Sequence, residues 1–182
     1  MEKTISINGK SVNFKASGGC LIKYRQQFGV EYSDDIERVR ALKDTNADEE
    51  TIKILLAEVY YKLMWCMAKT ADNSIPDPES WAKEFGDYDI SEAMVEINDL
   101  LSKSIGDNED DEGDGEPFRS ESFINCCLIC NLTMQDIENM SIGLLMKTVK
   151  EHIDMKSSKT NKKEKVSKKK ASQSDFDNFN LG

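Results

Sequence analysis

The chain holds a single histidine, His152, among 182 residues. That scarcity argues against Ser/His/Asp and Cys/His catalysis, because such chemistry needs a base held beside a nucleophile. His152 falls instead near a helix end, flanked by charge. A Gly-rich phosphate loop is also missing. No run of about 18 apolar residues exists, so no helix is expected to span a membrane. The opening "MEKTISINGK" lacks an apolar h-region, so no leader is expected. Five cysteines are odd in number and clustered, which does not suit a secreted disulfide framework and fits a reducing cytoplasm. Carboxylates are plentiful, but they fall at helix caps and in one acidic block, where solvation explains them. The expectation is a protein that is not an enzyme and carries no cofactor.

What is present is a modest core and much charge. Apolar residues make up 38% and the formal net charge is −10, which argues against nucleic acid as a general partner. "TISING" and "KSVNFK" alternate apolar and polar residues around Asn8-Gly9, a pair suited to the positive φ angles of a tight hairpin turn. An isolated hairpin is marginal in water, so its apolar face should lie on helices.

Helix signals follow. "CLIKYRQQFG" should stop at Gly29. "SDDIERVRALK" reads as a helix with Ser33 at the N-cap and Asp34 and Asp35 in the first turn. From about Asp48 to Lys69, Ile52, Leu55, Leu56, Val59, Tyr60, Leu63, Met64 and Met67 form one helical stripe. Asp77-Pro78 opens a short helix carrying Trp81 and Phe85. Asp89, with Glu92 as capping-box partner, opens a helix carrying Ile90, Ala93, Met94, Ile97, Leu100 and Leu101.

At Gly106 the composition changes. "GDNEDDEGDGEP" holds seven acids and reads as a solvated linker, since such a block repels itself and buries nothing. Beyond it comes a small helical unit, then a lysine-rich tail with eight lysines and one acid between residues 156 and 170. The expected fold is α+β, mainly α. A hairpin packs on a helical domain (1–105), followed by an acidic linker (106–117), a small helical unit (118–155) and a disordered tail (156–182). The opposed charges of linker and tail would attract each other.

Cys126, Cys127 and Cys130 raise the question of a metal. Cys127 and Cys130 have Cys-x-x-Cys spacing, but a structural zinc site wants four ligands and no second pair follows. The three sit in an apolar helical pattern with Phe123, and free cysteine packs as a small hydrophobe. No metal is expected there. One calcium alternative exists. Asp110, Glu112, Asp114, Gly115 and Glu121 match positions 1, 3, 5, 6 and 12 of an EF-hand loop. Pro117 at position 8 and glutamate at position 3 argue against it. Near the end, Phe176, Phe179 and Leu181 in an acidic context look like a short partner-binding peptide, though a featureless end reads equally well.

Taken together, "ISINGKSVNFKASGG", the helix ending "YRQQFG", the long amphipathic helix and "PDPESWAKEF" resemble the tail assembly chaperones of long-tailed phages and prophages of Gram-positive bacteria, over about residues 3–104. "CLICNLTMQDIENMSIGLLMKTVKEH" looks like the small unit that this family often joins to the first by a frameshift. A cysteine, then D-x-x-x-M-[ST], is frequent there, and Cys130, Asp136, Met140 and Ser141 stand at those places. The long acidic linker and the basic tail depart from the pattern. They leave open whether this is a short, extended or fused product. The resemblance implies a chaperone of the host bacterial cytoplasm, absent from the finished virion. It would bind and solubilise the tape-measure protein through the first domain and recruit tail-tube subunits through the second. Asp136 and Met140 would contact partners. A homo-oligomer is left open.

Overall fold

In the computed structural model the described residues are 1–45, 47–86, 90–106 and 119–167, with side chains described as far as 156. Strands β1 (Glu2–Ile7) and β2 (Lys10–Lys15) pair antiparallel, with Ile5 opposite Val12. Asn8 and Gly9 take φ of 48° and 77°, the left-handed turn that the Asn-Gly pair favours. Ile5, Ile7 and Phe14 are buried from the same face of the hairpin. The turn is fastened to the helical domain, since Asn8 Nδ2 donates to the Phe85 carbonyl at 2.9 Å.

Helices α1 (Gly18–Phe28), α2 (Tyr32–Asp44), α3 (Glu49–Ala71), α4 (Pro78–Lys83) and α5 (Ser91–Ile105) complete the first domain. α3 is the central element, packing against α1, β2, α2, α4 and α5. Its C-terminal half is buried on all sides from Leu63 to Ala68, so Trp65, Cys66 and Ala68 join the expected stripe. In its N-terminal half, Ile52, Leu55 and Leu56 are only half-buried, because few neighbours reach that far. Two local signals act where they were expected: Asp77 accepts from the Ser80 amide at 3.0 Å, and Gly29 ends α1 at φ 73°; Asp48 in addition caps α3, accepting from the Thr51 amide at 2.8 Å.

Ser33 is not an N-cap. α2 begins at Tyr32 with Glu31 in the N-cap position, because the Glu31 carbonyl already accepts from the Asp35 amide. Asp35 is more than a dipole-matching acid. It is fully buried, taking hydrogen bonds from Tyr24 at 2.6 Å, Arg38 at 2.8 Å and Lys62 at 3.2 Å. α5 starts at Ser91 with Ile90 before it and no side-chain cap, and Asp89 lies outside the described residues.

The second unit contains α6 (Ser120–Ile129), α7 (Met134–Asn139) and α8 (Ile142–Ser167). α6 and α7 pack on α1, and α8 packs on α5 and α6. Ile22 of α1 shares a core cluster with Phe123, Cys127, Ile137 and Leu145, so the unit is seated on the first domain. α8 runs to Ser167, past residue 155 where the sequence reading ended the helical unit, so 156–167 is helix where a disordered tail was expected. Acidic residues 107–118 and the end of the chain, 168–182, lie outside the described residues.

Candidate partner-binding surface

The seat of the second unit is built from glycines and buried polar groups. A Cβ on Gly143 would stand 2.0 Å from the Ile105 carbonyl oxygen. One on Gly18 would stand 2.6 Å from Leu145 Cδ1, and one on Gly19 3.2 Å from Glu138 Cα. Backbones therefore approach as closely as glycine allows, at both ends of the contact. The Ser104 hydroxyl donates to the Ala16 carbonyl at 3.0 Å and accepts from the Ile142 amide at 3.3 Å. The buried Glu31 carboxylate accepts from the Ser120 amide at 2.9 Å and the Ser120 hydroxyl at 2.8 Å. It thus supplies from a distance the cap that Arg119, at the N-cap of α6, does not provide. Arg119 instead reaches Asp34 at 2.7 Å. None of these contacts was expected from the sequence. The one local hint is Gly18-Gly19 at a helix start, where two glycines are costly unless something packs close.

The residues expected to bind partners turn out to shape this unit. Asp136 and Thr133 form a capping box at the start of α7, and the hydrogen bonds of Thr133 hold the Asp136 carboxyl below its ordinary range. Met140 is half-buried against the cluster around Ile137. Ser141 precedes α8 and its hydroxyl accepts from the Leu144 amide at 3.4 Å. The D-x-x-x-M-[ST] pattern here spells two consecutive helix starts. Phe176, Phe179 and Leu181 lie outside the described residues.

Of the cysteines, Cys127 is buried in the second cluster, while Cys126 and Cys130 are half-buried. Burial pushes the Cys127 thiol up to about 11 and the Cys20 thiol likewise to about 11. Among the described residues no group of three His, Cys, Asp or Glu side chains is placed to hold a metal. Asp110, Glu112 and Asp114 lie outside the described residues. Glu121, their partner in the calcium alternative, sits in the first turn of α6 with Arg25 Nε 3.7 Å away.

The second unit carries most of the exposed large apolar side chains. Eleven large apolar side chains stand exposed among the described residues, and seven fall between 128 and 155: Leu128, Ile129, Met134, Leu144, Met146, Ile153 and Met155. They are 43 to 61% exposed. α8 carries four of them. Its packed stripe is Ile142, Leu145, Val149 and His152, with Leu144 and Met155 on one flank and Met146 and Ile153 on the other. Apolar residues thus wrap a wider arc of α8 than the body covers.

The first domain offers something narrower. An apolar pocket of about 110 Å³ lies between the hairpin and α4, lined by Ile7, Tyr61, Met64, Trp81, Phe85 and Ile90 among others. Trp81 stacks edge-on against Phe85 at 5.1 Å, which fixes its wall. Tyr61 donates to the Pro78 carbonyl, and burial lifts its phenol to about 12. The pocket has room for one apolar side chain.

No family model, curated protein or solved structure matches this chain. No helix among the described residues is long and apolar enough to cross a membrane.

Proposed function

We propose that this chain is a non-catalytic binding protein of the phage tail assembly chaperone type, which keeps a tape-measure protein soluble and helps recruit tail-tube subunits. The supporting observation is the concentration of exposed apolar residues on the second unit, three of them methionines. Exposed apolar patches on a folded domain mark interaction sites. Methionine suits a surface that must accept varied partners, because its unbranched chain adapts its shape. The aromatic-lined pocket of the first domain adds a place for a single protruding side chain of a helical client. A net charge of −10 would keep a complex with an apolar client dispersed.

The sequence reading gives the tape measure to the first domain and tube subunits to the second. The distribution of apolar surface favours a client contact that includes the second unit. Co-expression tests both points. The tape-measure protein is produced alone, with the full chain, and with a chain ending at Gly106. Solubility and co-purification only with the full chain support the reading and put client contact beyond residue 106. Rescue by both forms puts it in residues 1–105. Equal insolubility in all three, with nothing co-purifying, overturns the reading.

A further inference from the structure

The hairpin is a sheet of two strands only, so each strand has one edge without a partner strand. The register says which residues face the free edge of β2. Ile7 and Lys10 flank the two-residue turn and stand opposite each other, the position of a mutually hydrogen-bonded pair. At the far end Met1 and Ala16 also exchange both bonds, at 2.9 and 2.8 Å. Bonded pairs alternate along an antiparallel ladder, so Val12 and Phe14 bond to β1 as well. Ser11 and Asn13 lie between them and turn their N–H and C=O groups away from β1. Among the described residues none of these four groups has a hydrogen-bond partner beyond the hairpin.

Proteins usually blunt such an edge with proline, a bulge or a covering element. β2 has no proline and pairs without a bulge, and both Ser11 and Asn13 are exposed. The edge opens on a groove of about 220 Å³. One side of the groove is Lys10–Asn13, and the other carries Asp72, Ile75 and Glu84, with the buried rings of Trp81 and Phe85 at its floor. Val12 is half-buried and packs on the main core, as Ile75 does.

The lining describes its occupant. A strand added about 4.8 Å from β2 would place the side chain opposite Val12 on the groove side, toward Ile75 and Trp81. An apolar residue suits that position. Two carboxylates line the groove against one ammonium. That ammonium, Lys10 Nζ, already donates to the Glu84 carbonyl at 2.9 Å and lies 5.5 Å over the Phe85 ring. The charge left over is negative and favours a basic side chain on the incoming strand. Nucleic acid would bring phosphates to this acidic groove. A second copy would bring the same carboxylates to it, an addition of like charge.

We propose that the free edge of β2 at Ser11–Asn13 pairs with an extended segment of another protein, apolar opposite Val12 and basic close by. The inference does not rest on the chaperone reading. A failed tape-measure co-expression overturns that reading and leaves the following test intact.

The isotope-labelled full chain is titrated with threonine-rich heptapeptides that carry valine at the fourth position and lysine at the second or the sixth. One control set replaces lysine with glutamate. Another is N-methylated at the third, fourth and fifth amides, which blocks both edges of the peptide. One lysine peptide should bind with a Kd of about 10–300 μM and shift the Ser11 and Asn13 amide signals. Its glutamate control should bind at least about threefold more weakly, and its methylated control at least about tenfold. Ser11→Pro removes one outward N–H that makes no bond in the protein, a change an edge strand tolerates, and should weaken binding about tenfold. Ser6→Pro makes the same change on the edge of β1 and should leave binding as it was. Asp72→Asn should reduce the preference for lysine. Circular dichroism checks that the variants stay folded, and the methylated peptides test the edge without altering the protein. No binding, equal binding of the methylated peptides, shifts that bypass Ser11 and Asn13, or equal loss in the two proline variants would overturn the proposal. Equal affinity for lysine and glutamate peptides would overturn the basic partner. A dimer seen by light scattering and abolished by Ser11→Pro would assign the edge to a second copy instead.

Discussion

Glu31 and Ser120 lie 89 positions apart in the chain, yet the buried carboxylate of the first takes both the amide and the hydroxyl hydrogen of the second. A residue at the junction of α1 and α2 thereby caps α6, and the two units are fastened at that point. Glu31→Ala should cost about 2–3 kcal/mol in urea unfolding, the range for hydrogen bonds to a charged group. Ser120→Ala should cost less, because the amide bond to Glu31 survives. The double variant should cost less than the sum of the two. Hydrogen exchange should quicken first in the opening turn of α6.

Gly143 tests the close approach between α8 and α5. Gly143→Ala places a methyl group against the Ile105 carbonyl and should destabilise by about 3 kcal/mol, a typical cost of overpacking. Gly9→Ala provides the contrast. Nothing lies within 4 Å of that position, so its cost of about 1 kcal/mol should come from φ +77° alone. Thermal melts of the two variants should rank in that order.

Asp35 sets part of the acid limit. Burial would push its carboxyl up, but hydrogen bonds from Tyr24 and Arg38, with the charge of Lys62, more than offset this and hold it below its ordinary 3.8. The folded value lies below the unfolded one. Its stabilising contribution is therefore complete above the unfolded value and is lost as pH falls through the folded one. Urea midpoints should be flat from pH 7 to 5 and drop below about pH 4. Asp35→Asn should lower the midpoint at pH 7 and flatten the acid decline. Asp35→Ala should cost about 3–5 kcal/mol, since Lys62 then loses a buried counter-charge.

Thiol labelling should divide the five cysteines. Cys20, Cys66 and Cys127 are buried, and burial raises all three thiols, which slows thiolate chemistry. Two equivalents of a thiol reagent should react with the native protein, at Cys126 and Cys130. The remaining three should react only on unfolding. Mass mapping of the labelled peptides decides the assignment.

Legibility in the sequence followed the range of the interaction. Asn8-Gly9, Asp77-Pro78 and Gly29 act on neighbours within a few positions, so their chemistry was readable before any fold was known. The stripe of α3 was readable as a helix but not as a buried one. Periodicity shows that apolar residues share a face and is silent about how many elements will surround it. Glu31, Ser104 and Gly143 act across 38 to 89 positions, and no local pattern distinguishes a carboxylate that caps a remote helix from one that faces water. The same gap hid the candidate surface. Met146 and Ile153 look like core residues until the body is seen to cover one stripe of the first part of α8.

The Ser104 hydroxyl joins Ala16, near the start of the sequence, to Ile142, in its last quarter. During synthesis, which runs from the N-terminus, the hairpin and α1–α5 emerge before α6–α8. The Ile142 amide that completes the Ser104 pair arrives after about 36 further residues have been added, and with it come α8 and its open apolar flank. A translation product stopped before α7 would keep the hairpin and the aromatic pocket but carry no α8. Until Ile142 arrives, the Ser104 hydroxyl has the Ala16 carbonyl as its partner and the second side of that pair stands open.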